Sequence, residues 1–159
     1  MTIRWLAVAA FLVAGCTQDA DETPTAAAAT QAAPTPAPVS LERRPAPDGA
    51  SAYIIAPMNG AVVENPVRVV FGLTGAGVIP AGIAQDGAGH HHLLIDTELP
   101  NLDAAIPADE NHRHFGGGQT ETELELAPGT HTLQLLLGDE RHIPHDPPIM
   151  SQRITIEVR

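Results

Sequence analysis

In 159 residues the chain carries 19 acidic and 8 basic side chains, a formal net charge of −11 with neutral histidine, and its basic residues are all arginine. Such a charge repels nucleic acid and anionic head groups, so neither is an expected partner. A single cysteine excludes a disulfide framework.

Residues 1–15 read as a bacterial lipoprotein signal peptide. Arg4 and the amino terminus supply a short positive region, and Trp5 to Ala14 is an apolar run too short to remain as a permanent span. Val13-Ala14-Gly15-Cys16 resembles a lipobox, in which Cys16 is lipidated and becomes the first residue of the mature protein. The alternative is an ordinary cleaved signal with an incidental cysteine. Thr17, rather than an aspartate, follows Cys16, and that sorts the protein to the outer membrane. The expected location is the bacterial cell envelope, with a periplasm-facing lipoprotein held to the membrane by its N-terminal lipid.

Residues 16–50 read as a disordered Ala/Pro/Thr-rich linker. Pro24, Pro34, Pro36, Pro38, Pro45 and Pro47 interrupt any helix, and the segment has little to bury. It would act as a tether.

Residues 51–159 read as one all-β domain, an immunoglobulin-like β-sandwich of about seven strands. Ser51–Ala56 is the first, closed by the turn signal Pro57-Met58-Asn59-Gly60. In 66–73, Val67, Val69, Phe71 and Leu73 alternate with Arg68, Val70 and Gly72. Residues 90–96 are apolar enough to form a central strand. Residues 119–126 alternate with Glu121, Glu123 and Glu125 outward, 130–137 carry Leu133, Leu135 and Leu137 inward, and 152–158 carry Ile154, Ile156 and Val158 inward. One more strand is expected within 97–111. The domain holds 14 acidic and 5 arginine side chains, about −9; the glutamate ladder is read as a solvated face.

Histidine carries the chemistry. His90-His91-His92 opens the central strand, His112 and His114 form a His-x-His pair, and His142 and His145 form a His-x-x-His. In a strand, residues two apart point the same way, so His90 and His92 share a face and His91 joins Leu93 and Ile95 on the other. Two imidazoles so placed reach one ion without bending the backbone, as copper and zinc sites require. The immunoglobulin-like connectivity predicts that all but His131 gather at one end of the sandwich. The expected metal ligands are His90, His92, His112 and His114. His91, His142 and His145 are alternates or a second site, with Asp146 orienting a ring. His131 is read as capping one end of the core. Gly116-Gly117-Gly118 has no following helix and no lysine, so it is not a phosphate loop and is read as a tight turn. Met58 and Met150 are read as packing residues.

Gly89–Asp96, His112-x-His114-Phe115-Gly116-Gly117-Gly118-Gln119-Thr120-Glu121, Pro128-Gly129-x-His131-Thr132-Leu133-Gln134-Leu135 and His142-x-Pro144-His145-x-Pro147-Pro148 together resemble a bacterial family of exported domains of unknown function. Some members carry the label rod-shape-determining protein. The resemblance covers about residues 52–158 and implies an envelope location; it supplies no activity. The functional expectation is a membrane-tethered envelope lipoprotein binding copper or zinc through a histidine cluster. The alternative is a non-catalytic module docking another envelope protein, with structural histidines. A metal-dependent enzyme is the third alternative: a three-histidine site with an open position permits hydrolytic or redox work, although no general base stands beside the imidazoles.

Overall fold

The computed structural model describes residues 41–159. The expected signal peptide (1–15), the lipidation site Cys16 and residues 17–40 of the linker lie outside the described residues.

Strands follow one another in the order β1 (Ser51–Ala56), β2 (Val62–Val63), β3 (Val67–Thr74), β4 (Gly77–Val78), β5 (Ala88–Ile95), β6 (His112–His114), β7 (Glu121–Leu124), β8 (Gly129–Gly138) and β9 (Ile154–Val158), with no helix among the described residues. One sheet has the order β1-β3-β7; the other has the order β2-β9-β8-β5-β4, with β6 paired to β5. The long strands group as an immunoglobulin-like sandwich requires, with β1, β3 and β7 facing β5, β8 and β9.

Alternation explains the core. Val67, Val69 and Phe71 of β3, Leu124 of β7, Leu133, Leu135 and Leu137 of β8, and Ile156 and Val158 of β9 turn inward and are buried between the sheets. Each large aliphatic side chain so buried contributes about 1.5–3 kcal/mol. Phe71 and Phe115 meet edge to face, with ring centroids 4.9 Å apart.

The strand count differs from the expected seven because β2, β4 and β6 are only two or three residues long. No strand forms within 97–111. That segment instead lies across the outer face of the second sheet, where Leu99, Leu102 and Ile106 pack on Leu94 and Leu136. Both faces of β5 are therefore covered, and all eight of its residues are buried. Asp96 ends the strand at φ 54°, a left-handed conformation that aspartate tolerates. Its carboxylate accepts hydrogen bonds from the Thr132 N–H at 2.7 Å and from His131 Nδ1 at 2.6 Å.

Residues 41–50, expected as the end of the linker, are docked on the domain. The Asp146 N–H donates to the Arg44 carbonyl at 2.8 Å, and the Ala46 N–H donates to the Asp146 carbonyl at 2.9 Å. The Pro-rich composition concealed this because proline still accepts hydrogen bonds and adds an edge to a loop without continuing a sheet.

Candidate metal centre

The site is built on the outer face of β5. His90 and His92 project from it together, and antiparallel pairing sets His114 of β6 directly opposite His92. His142 enters from the loop between β8 and β9. Ligand nitrogens of His90, His92, His114 and His142 all lie within 4.8 Å of one another. Ring centroids are 4.8 Å apart for His90–His92, His90–His142 and His114–His142, and 5.1 Å for His92–His114. The Nε2 atoms of His114 and His142 are 3.2 Å apart. An ion with bonds of about 2.0 Å holds tetrahedral nitrogens about 3.3 Å apart. One pair already meets that spacing, and no two of the four ligand nitrogens are more than 4.8 Å apart.

His90 and His92 are fully buried, and none of their ring nitrogens has a hydrogen-bond partner among the described residues. His114 is exposed and His142 half-buried, so the cluster has a closed floor and an open lip. Burial, reinforced by the neighbouring imidazoles, lowers the pKa of His90 from 6.5 to about 4 and that of His92 to about 2. Burial and His142 lower that of His114. These rings are neutral at pH 7, the state in which imidazole binds metal.

Two glycines make room. A Cβ on Gly138 would lie 2.9 Å from His92 Cε1, and a Cβ on Gly116 would lie 2.6 Å from His114 Nε2. Gly118, at φ 80°, is the residue of the triplet that makes the turn. The three glycines look alike in the sequence, because only the folded chain places Gly116 against an imidazole.

Of the four expected ligands, His90, His92 and His114 lie in the cluster. His112 is not in the cluster; its Nδ1 lies 2.9 Å from the Asp109 carboxylate, which also accepts from the His112 N–H. It pairs with Leu94, two residues further along β5 than the His92–His114 pair. His142 is the fourth member of the cluster. His91 lies on the inner face, buried, 5.3 Å from the Phe71 ring between centroids. His145 is buried outside the cluster. Asp146 faces Arg43 at 3.5 Å rather than a histidine. The expected gathering of seven histidines at one end is thus a cluster of four on a sheet face. His131 stands apart, bonded to Asp96 and, through Nε2 at 2.8 Å, to the Ala127 carbonyl.

The fold and the cluster together define a β-sandwich domain with four imidazoles that could hold a metal ion. The chain belongs to the family described as Domain of unknown function (DUF4399), whose model matches residues 69–159 and so spans all four histidines. No curated protein and no solved structure matches it.

Proposed function

We propose that the domain binds one divalent transition-metal ion, copper or zinc, through His90, His92, His114 and His142, and that it does so as a membrane-tethered lipoprotein of the bacterial envelope. The observation that carries the reading is the convergence of four imidazoles, two of them fully buried without a hydrogen-bond partner among the described residues. Leaving buried polar atoms unpaired costs about 1–3 kcal/mol each. His131 avoids that cost with a carboxylate and a carbonyl, whereas His91 and His145 are buried and unpartnered outside the cluster, so it is the convergence of the four rings that points to a metal. Coordination offsets it for the cluster.

An all-nitrogen, uncharged ligand set suits Cu(II) and Zn(II), and the Irving–Williams order favours copper where both are present. Cys16 supports the envelope location through its lipobox-like setting, and the acidic surface suits cation capture. The roles that fit are buffering, delivery or sensing of the metal.

Elemental analysis of protein purified without a histidine tag tests the reading. About one copper or zinc ion per chain is expected, with loss of binding in the His92→Ala, His114→Ala double variant. Metal-free protein that takes up neither ion, or a double variant that binds as tightly as the parent, refutes it.

A further inference from the structure

Three of the four proposed ligands stand on strands and are fixed by ladder hydrogen bonds; His142 stands on the loop 139–146. It sits there at φ 67°, in the left-handed region that a residue with a side chain rarely adopts. Inside the loop, the Asp139 carboxylate accepts from the N–H groups of Arg141 at 2.8 Å and Ile143 at 2.9 Å. The His142 N–H donates to the Asp139 carbonyl at 2.9 Å, and the His142 carbonyl accepts from the Ile106 N–H at 2.8 Å.

The far side of the loop is held by residues 42–46. Arg43 Nε donates to the Pro144 carbonyl at 3.1 Å, and its Nη2 donates to the His145 carbonyl. Those two acceptors lie two and three residues beyond His142. Arg43 Nη1 also faces Asp146 at 3.5 Å, and the Arg43 side chain is only 14% exposed. Arg44 Nη2 donates to Glu140 at 2.8 Å, and Arg141 Nη2 donates to the Glu42 carbonyl at 2.9 Å. The backbone pairs of Asp146 with Arg44 and Ala46 complete a strap across the loop.

We propose that residues 42–46 are a clamp that sets His142 in the metal site, with Arg43 as its positioning residue, so that metal retention is coupled to the docking of the segment through which the chain enters the domain. The proposal rests on the metal-binding reading above. Groups that orient a ligand without touching the ion typically control affinity by about 10–100-fold.

The test uses the full chain and Co(II), whose visible spectrum reports the number of nitrogen ligands, with chelator competition for affinity. Arg43→Ala is expected to weaken Co(II) binding by about 10-fold and to shift the spectrum towards that of His142→Ala. In a His142→Ala background, Arg43→Ala is expected to change affinity by less than about twofold, since the ligand it positions is gone. Arg68→Ala, which removes an exposed ion pair with Glu121 on the other sheet, is the control and leaves affinity unchanged. If His142→Ala weakens binding and Arg43→Ala does not, the clamp is wrong while the metal site stands. If the two effects add in full, Arg43 acts through general stability and the clamp is again wrong. If His142→Ala binds like the parent, His142 is not a ligand, and both the clamp and the four-histidine set fall. Should Arg43→Ala lack a cooperative melt, Arg43→Lys, which keeps the charge but not the paired donation to two carbonyls, is judged by the same criteria.

Discussion

His142 sets a backbone cost against a ligand position. A non-glycine residue in the left-handed region costs roughly 1–2 kcal/mol, and such strain is retained where a site requires it. Replacing His142 by glycine or by alanine removes the imidazole equally, but only glycine relieves the φ of 67°. His142→Gly is expected to exceed His142→Ala in stability by about 1 kcal/mol, the reverse of the usual helix order, with both equally poor in metal binding. Urea unfolding of the two metal-free variants measures the difference; equal midpoints would mean the backbone is unstrained. His131 makes the opposite use of an imidazole. Both ring nitrogens face acceptors, Asp96 and the Ala127 carbonyl, so only the imidazolium satisfies both, and its pKa is raised, chiefly by the Asp96 hydrogen bond. Its stabilisation is therefore full below the unfolded value of 6.5 and is lost as pH rises through the folded value. His131→Ala should cost more stability at pH 6 than at pH 9, measured by denaturant midpoints across that range. His90 and His92 run the other way. They are held neutral in the folded state, so the metal-free protein should lose stability as pH falls from 6.5 towards 4. Residue spacing alone could not separate these roles. His112 and His114 look alike in a His-x-His pair, yet Asp109 engages the first and β5 positions the second.

At the scale of the element, the site depends on one register. His92 pairs with His114 across β5 and β6, and a slip of one residue would turn His114 away from the cluster. β6 is three residues long and has no apolar alternation to announce it, so its pairing was not legible in the sequence. The long strands were legible because each has one face on the core: the ranges expected for β1, β3, β8 and β9 fall within a few residues of those found. The covering of the second sheet was not. Leu99, Leu102 and Ile106 are too widely spaced to read as a strand and act as separate plugs on Leu94 and Leu136. The glycines test how tightly the elements hold the rings. Gly116→Ala places a methyl 2.6 Å from His114 Nε2 and must displace that ring. Because His114 is exposed, the ring can swing outward, and the expected result is weaker metal binding with a change in melting temperature of less than about 2 °C. Gly138→Ala meets His92, a buried ring with nowhere to go, so it should lower stability by about 1–3 kcal/mol as well as metal affinity. Parallel melting curves and metal titrations distinguish the two patterns.

For the molecule as a whole, the folded unit reaches upstream of residue 51. Nothing in the sequence singles out Arg43 and Arg44, because their partners, Asp139, Glu140 and the carbonyls of Pro144 and His145, lie about a hundred residues away and only the fold reveals them. The Arg43–Arg44 peptide bond is a trypsin site, whereas Arg44–Pro45 is resistant, so cleavage after Arg43 reports release of residues 42–46 from the loop. When opening is fast compared with cutting, the cleavage rate follows the equilibrium population of the released form. Linkage then fixes the sign of the metal effect. If docking of the segment strengthens metal binding by some factor, metal binding must strengthen docking by the same factor. Copper- or zinc-loaded protein should therefore be cut after Arg43 more slowly than metal-free protein, by about the 10-fold that an orienting group typically contributes. The His142→Ala variant should lose this protection while keeping its metal-free cleavage rate, since the carbonyls that Arg43 holds remain. Equal cleavage of loaded and metal-free parent protein, at metal concentrations that saturate the site, would show that residues 42–46 and the metal centre are energetically independent.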